Sequence, residues 1–345
     1  MNILIVGAGF AGAVIARECA SAGHKVKVID KRNHIGGNAY DYTDENGIRI
    51  HKYGPHLFHT NNEKVVEWLS QFTEWVPYQH KVKAQLNDGR YVTLPVNKET
   101  KEIVGEENVL DIFFRPYTKK MWGKSLDELD PSIINRVPIR DDDNELYFPN
   151  DEYQMMPKDG YTKIFENIFN HSNIDVELEV EFDKSMEADY DYVFNSMPID
   201  LYFDKRYGEL PYRSIKFHNV VLHQTRALPT ATVNFTHDGP FTRVTEWKNI
   251  PAHGNNDYAT VLTYETPCDY RDNNYERYYP VKDVEGTNRD TYRKYKDLVD
   301  TDRMTFIGRC GMYVYIDMHQ AIGSSLATAR RFLKKPYPWH GEVSA

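Results

Sequence analysis

The chain has 345 residues, 41% hydrophobic and 27% charged, the makeup expected of a soluble globular protein with two or three domains. Its formal net charge of −9 argues against general nucleic-acid binding, which needs a basic surface to displace counterions, but not against one phosphorylated small molecule held by a few arginines. Three widely spaced cysteines, Cys19, Cys268 and Cys310, form neither a disulfide framework nor a zinc pattern and point to a reducing compartment.

The opening MNILIVGAGFAGAVIA is apolar but lacks a basic leading segment and carries turn-spaced glycines, so it reads as part of a domain. No other stretch approaches a membrane span, and a cytoplasmic protein is expected. NILIVG reads as a buried parallel strand, and Gly7, Gly9 and Gly12 follow in G-x-G-x-x-G register. A helix through AGAVIARECASAG and a second strand, KVKVID, ending at Asp30, complete a βαβ unit. The glycines permit a tight turn and close approach of backbone to a pyrophosphate, the helix start offers free N–H groups, and Asp30 stands where an acid would accept ribose hydroxyls. The second glycine pair, Gly36-Gly37, resembles the extension in FAD-binding proteins of the amine-oxidase and glutathione-reductase type, which prefers FAD over NAD.

Further along, IHKYGPHLFHT places His51, His56 and His59 within nine positions. A metal site there would need supporting ligands, and neither HExxH nor a cysteine pair is present, so no metal is expected. NEKVVEWLSQFTEW (62–75) reads as an amphipathic helix, and HKVKAQLNDGRYVTLPV (80–96) as a hairpin through NDG. Helical spacing dominates from VGEENV to SLDELD, with Phe113, Phe114, Tyr117 and Trp122 clustered; for Phe113 a core stripe and a ligand role stand level. RDDDNE (140–145) reads as a solvated acidic loop. From about 176 to 265 short strands alternate, from DVELEVEF and YDYVFNS to YATVLTYE, as in a mostly antiparallel sheet. MTFIGRCG is a final strand, and DMHQAIGSSLATARRFLKK a final helix with Asp317 as N-cap. The 25 tyrosines suit either a ligand cleft or a β domain.

Ten stretches together resemble one family, the UDP-galactopyranose mutases. They are GAGFAGAV, KRNHIGGNAY, IHKYGPHLFHTN, YTKKMWGKS, INRVPIR, GYTKIFE, YGELPYRSIKF, NFT with FTRVTE, YYPV, and GR with YVYIDMHQAI, in family order from residue 3 to about 333. The tryptophan motif, FTRVTE, YYPV and YIDMHQ discriminate far better than the glycine loop.

The resemblance implies an α/β fold: a discontinuous Rossmann-like FAD-binding domain (1–78 with about 150–200 and 300–335), a reduced helical domain (about 97–135) and a mostly antiparallel β-sheet domain (about 80–96 and 201–299). It implies an isomerase of galactofuranose biosynthesis that interconverts UDP-galactopyranose and UDP-galactofuranose without net redox change. N5 of reduced FAD attacks the anomeric carbon, UDP leaves, and the sugar opens and recloses through its 4-hydroxyl; an external reductant such as NAD(P)H is implied. Arg136 and Arg243 match the family's two substrate arginines, and forked, charge-assisted hydrogen bonds would stabilise the leaving diphosphate. Tyr147, Tyr278, Tyr279 and Tyr315 match phosphate-facing tyrosines, with Tyr279 preferred over its neighbour. Tyr117 with Phe113 or Phe114 would stack the uracil beside Thr118, Trp122 would wall the sugar pocket, and Asn234 would face substrate. Asp317 would lie near substrate and flavin, at a helix start whose positive end favours the anionic reduced flavin. His56 would sit nearest N5 as a hydrogen-bond partner, with His59 behind it and His51 structural. The cofactor-binding set is Gly7, Gly9, Phe10, Ala11, Gly12, Asp30, Lys31, Gly36, Gly37, Asn38, His56, Arg309 and Met318.

The chain departs from bacterial relatives in three places. Several helices' worth of sequence is missing between LPVN and YTKKMWG, which puts the usual dimer contact in doubt. Ile316 stands where relatives often carry Tyr, and NSMPID with Met197 replaces a glycine-containing stretch. Other readings are a mutase preferring UDP-N-acetylgalactosamine or another UDP-hexose, an amine-oxidase-like flavoenzyme, and a sugar-nucleotide-binding protein without turnover.

Overall fold

The computed structural model of the chain describes residues 1–128 and 138–334. Strand β1 (Asn2–Val6), helix α1 (Phe10–Ser21) and strand β2 (Lys25–Asp30) form the expected βαβ unit, β1 and β2 parallel with Ile3 opposite Val26. Four consecutive buried residues, Ile3 to Val6, are what a strand covered on both faces requires. The sheet grows to five strands in the order β10-β2-β1-β11-β17, with β10 (Ile174–Leu178), β11 (Tyr192–Asn195) and β17 (Met304–Phe306) supplied from later in the chain. All its pairings are parallel.

DVELEVEF and YDYVFNS belong to this parallel sheet, within the 150–200 stretch expected of the nucleotide domain, and not to the antiparallel run that their strand pattern suggests. β10 is an edge strand, and its alternating exposure mimics a half-buried antiparallel strand. Helix α2 (Glu63–Leu69) also ends earlier than the spacing suggests. Trp75 lies instead in strand β6 (Trp75–Pro77), where its ring stacks on Phe58 at 4.8 Å between centroids.

The second sheet has seven strands in the order β16-β12-β15-β14-β13-β7-β8. The hairpin β7 (Val82–Gln85) and β8 (Tyr91–Leu94) joins β12 (Tyr212–Leu222), β13 (Thr232–Phe235), β14 (Arg243–Glu246), β15 (Thr260–Asp269) and β16 (Tyr279–Pro280). Its pairings are antiparallel except β7 with β13, which run parallel. Two smaller sheets complete the set, β5 (Phe58–Thr60) and β6 on β9 (Tyr153–Pro157), and β3 (Asp41–Thr43) on β4 (Arg49–His51).

The shortened helical segment opens with α3 (Lys98–Val104), whose N-cap Asn97 accepts the Thr100 N–H at 2.9 Å. One wide turn over Leu110–Phe114 leads into α4 (Arg115–Trp122), which has Pro116 in its first turn and stops at left-handed Gly123. Three backbone carbonyls, of Phe235, His237 and Phe241, accept from Lys120 Nζ, and Arg213 donates to the Met121 and Lys120 carbonyls. These bonds fix the end of α4, and with it Trp122, on the second sheet.

The main core lies between the parallel sheet, α1, α5 (Tyr161–Phe169) and the final helix α7 (Met318–Lys334), with α6 (Thr287–Lys296) elsewhere on the surface. Ile322, Ser325, Leu326, Ala329 and Phe332 give α7 its buried stripe. No described helix is long and apolar enough to cross a membrane. Gly160 has no side chain to cap α5, and Asp41 does so from β3: its carboxylate accepts the Tyr161 and Thr162 N–H groups at 2.7 and 2.8 Å. Asp41→Ala strands two buried donors and should lower the unfolding free energy by about 1–3 kcal/mol in urea titrations, Asp41→Asn by less; an unchanged midpoint for Asp41→Ala would refute this cap.

Candidate active site

The carboxyl ends of β1, β2, β11 and β17 line one edge of the parallel sheet, and the chain departs to opposite sides of β1 there, the usual place for a ligand in such a fold. Helix α1 starts at this edge after an extended Gly9, with no side-chain cap and no acid in its first turn. The two glycine loops touch: a Cβ on Gly37 would lie 2.9 Å from Gly9 Cα. Gly7 has φ +106°, and a Cβ there would lie 2.0 Å from Ser196 Oγ; one on Gly12 would meet the Gly7 carbonyl. Gly36 N–H donates to the Ala8 carbonyl, and Asp30 accepts N–H groups from Ala8 and Arg32, so the acid ties both loops together. Each carboxylate oxygen keeps a second lone pair for a ribose hydroxyl. Asn195 is fully buried at the end of β11 with no partner for Nδ2 among the described residues. Bare backbone, an uncapped helix start, a ribose-facing acid and an orphaned buried donor fit a dinucleotide.

Within that cradle, the ring of Phe10 packs on Phe165 at 4.4 Å, so Phe10 can serve a ligand only through its backbone. Ala11 lies within reach of a Cβ placed on Gly308, which brings the β17 segment to the loop. Asn38 Oδ1 accepts from Arg32, which also pairs with Glu276. Lys31 is exposed, and Arg32 is the ordered basic residue at this corner. Met318 packs against the main core as the first residue of α7, and Asp317 N–H is accepted by Gln320, one half of a capping box.

The second sheet lays a row of side chains across one face. Opposite one another in register stand Ala84, Asn234, Arg243, Glu265 and Phe217. Arg243 Nε lies 2.8 Å from Glu265 Oε2, and Glu265 is only 1% exposed. Burial is the largest influence and opposes the Arg243 charge, but Glu265 together with Tyr117 and Tyr279 outweighs it and holds the guanidinium protonated. Arg243 Nε, Asn234 Oδ1 and Glu265 Oε1 are all buried without a hydrogen-bond partner among the described residues, so the Arg243–Glu265 contact is an ion pair.

Facing this row are Tyr117 and Tyr279, both close enough to feel the Arg243 charge. Tyr279 and Tyr315 lie 5.2 Å apart, and Trp122 packs edge-on against both at 6.5 Å. Arg309 stands over both tyrosine rings at 5.3 and 5.2 Å and donates to the carbonyls of Tyr278 and Ile316, the residue before Asp317. Burial pushes the Tyr279 phenol up to about 12, so it stays a donor at neutral pH. Tyr147 joins from the side, near Tyr117 and edge-on to His80.

The three histidines part company. His56 Nδ1 donates to the Gly54 carbonyl at 2.8 Å, and burial with Arg309 and Arg243 nearby drives its imidazole down to about 4, so it is neutral. A Cβ on Gly54 would meet Phe217 at 2.9 Å and Glu265 at 3.3 Å, so this loop rests on the Arg243 row. His59 turns away, pairing with Asp151 at 2.5 Å and stacking on Phe148. His51 is buried against His253. No three His, Cys, Asp or Glu side chains converge to hold a metal among the described residues.

Several expectations need correction. Phe113 is buried under the β7–β8 hairpin with Val82, Ala84 and Val92, so its ring is core and not a stacking face. Tyr278, just before β16, is buried with Met121 and Ile215 behind Tyr117, Trp122 and Tyr279, so its ring is packing and Tyr279 is the more open of the two. Thr118 is buried within α4. Arg136 lies outside the described residues. Sequence reading missed Glu265, His80 and His253; of these only Glu265 gave a signal, as a charged residue at an inward position of the alternating strand TVLTYE.

The sequence profile of the UDP-galactopyranose mutases matches residues 112–315, and that of an NAD(P)-binding Rossmann-like domain matches 5–72. A probable UDP-galactopyranose mutase of Klebsiella pneumoniae is 36% identical over 96% of this chain and 94% of its own length. The chain belongs to the UDP-galactopyranose mutase family. Another relative, the dTDP-fucopyranose mutase of Escherichia coli, is 33% identical over 96% of this chain and 98% of its own. A crystal structure of reduced UDP-galactopyranose mutase superposes with a TM-score of 0.75 at 17% identity, covering 96% of this chain and 93% of that one, which shows the shared fold. The alignments with the two sequence relatives run over 371 and 378 positions, so each carries segments that this member of the family lacks.

Three buried imidazoles in this member, His51, His80 and His253, and the half-buried His56 are held neutral chiefly by desolvation, His80 near 3 and His253 near 4. Unfolded, each binds a proton near pH 6.5. Stability is therefore full above that pH and declines as pH falls toward 4, His253 alone accounting for about 2 kcal/mol at pH 5. Thermal melts at pH 7.5 and 5.0 should show the loss, and His253→Phe should reduce it; a flat profile would contradict the burial of these rings.

Proposed function

We propose that the protein interconverts UDP-galactopyranose and UDP-galactofuranose with reduced FAD bound at the edge of the parallel sheet. The observation that carries this is the Arg243 guanidinium, backed by buried Glu265 and opening toward Tyr117, Tyr279 and Tyr315 beside the glycine cradle. The flavin, when bound, supplies the nucleophile, N5 of its reduced form. Gly7, Gly9, Gly37, Asp30 and the start of α1 would hold its diphosphate and ribose.

The chain's own task is to hold and release a diphosphate. Arg243 binds the leaving oxygens, and Glu265 fixes the plane of the guanidinium so that its terminal nitrogens face the substrate. Tyr279 and Tyr315 donate hydroxyls to the same phosphates; a phenolate would repel them, and burial of Tyr279 keeps its proton on. Arg309 braces both rings and the backbone before Asp317. Trp122 walls the sugar side, and Asn234 Oδ1 accepts a substrate hydroxyl. His56, neutral and with its Nδ1 proton engaged, presents Nε2 as a hydrogen-bond acceptor near the flavin and not as an acid.

The test is anaerobic incubation of the FAD-loaded protein, with and without dithionite, with UDP-galactopyranose, UDP-N-acetylgalactosamine and dTDP-fucopyranose, followed by product chromatography. A furanose product from UDP-galactopyranose, formed only after reduction, is expected. Peroxide release with amines and no furanose from reduced protein would overturn the proposal. Arg243→Ala should lower kcat/KM by about 100-fold or more. Arg243→Lys should not restore it, since an ammonium cannot reproduce the planar fork. Glu265→Gln should raise KM more than it lowers kcat.

A further inference from the structure

We propose that His51 and His253 form a two-imidazole relay that fixes the backbone of His56, making both positioning residues for the reaction; this rests on the reading of His56 as the wall of the flavin site. His56 N–H donates to His51 Nδ1 at 3.0 Å. His51 Nε2 lies 2.9 Å from His253 Nε2, and His253 Nδ1 lies 2.8 Å from the Pro251 carbonyl.

These contacts admit a single arrangement of protons. A backbone N–H can only donate, so His51 Nδ1 is bare and its proton sits on Nε2. That proton points at His253 Nε2, which must accept, so the His253 proton sits on Nδ1 and goes to Pro251. Every donor then has an acceptor, and the chain runs unbroken from the Pro251 carbonyl to the His56 amide. The opposite tautomer of His51 would set two donors against each other in a site both rings occupy at 1% exposure. Trp247 flanks the pair, its ring 4.8 Å from His51 and nearly parallel to His253.

The relay spans two structural units. His51 ends β4, beside the dinucleotide cradle, whereas Pro251 and His253 follow β14, the strand that carries Arg243. On its other side the same loop rests on Glu265 and Phe217 through Gly54. His56 is thereby held from two directions, its amide by the relay and its ring by the Gly54 carbonyl, and its Nε2 has no hydrogen-bond partner among the described residues. His253 is thus required as an acceptor: a residue there that can only donate would force His51 into the wrong tautomer and release the loop.

Histidine-selective 15N labelling of the FAD-loaded protein at neutral pH tests the relay directly. His51 should show the Nε2–H tautomer and His253 the Nδ1–H tautomer; either ring in the opposite form would overturn the proposal. His51→Phe fills the space but removes the acceptor. It should speed exchange of the His56 amide and lower kcat by about 10- to 100-fold, with KM within about threefold. His51→Asn, whose Oδ1 can take the place of Nδ1, should recover most of both, and equal impairment of the two variants would also overturn the relay. If the wild type converts no sugar nucleotide after reduction, the functional reading falls, while amide exchange in the two variants, measured without substrate, still decides the relay.

Discussion

A carboxylate buried beside a guanidinium is the constraint on which the rest of the site depends. Removing Glu265 from water is costly, and it is tolerated because Arg243 lies against it in the adjacent strand of the same sheet. Neither partner is fully satisfied by the other, since Glu265 Oε1 remains without a partner among the described residues. Such incompleteness is a poor way to stabilise a core and a good way to hold a cation in one orientation with donors to spare. The pair sits at the middle of a cross-strand row, so the register of three strands sets its position.

The two large sheets divide the chemistry between them. The parallel sheet offers backbone and a helix terminus, which suit a ligand bound by its phosphates and ribose. The antiparallel sheet offers side chains in rows, which suit a substrate that must be held in one orientation. Between them lies the short loop 54–56, touching Glu265 on one side and tied to His51 on the other. Aromatic rings close the remaining flank, and Arg309 ties two of them to the start of α7.

Much of this was legible in the chain. The βαβ unit follows from local pattern, because strand, glycines, helix and acid must occur in that order for the backbone to turn as it does. FTRVTE and YYPV pointed to Arg243 and Tyr279, whereas which tyrosine of the adjacent pair is buried depends on Met121 and Ile215, far away in the chain. Legibility stopped where the cause was tertiary. The exposure of β10 alternates because it is an edge strand, which no local window can distinguish from antiparallel pairing. The spacing of Phe113 left core and ligand readings level, and only its packing with Val82, Ala84 and Val92 favours the core. His253 lies in a loop with no periodicity, and its significance depends on a ring 202 residues away. Asp41 likewise reads as a strand residue until the helix it caps, 120 residues later, is in place.

The parallel pairing of β7 with β13 has a consequence for how the protein is made. The hairpin at residues 82–94 cannot join its sheet until β13, near residue 232, has been synthesised. The parallel sheet is in the same position, because β1 waits for β11 and β11 for β17, near residue 304. The first hundred residues therefore leave the ribosome with exposed strand edges and an incomplete nucleotide cradle. The cradle is complete only when β17 and α7, which close its sheet and its core, are in place.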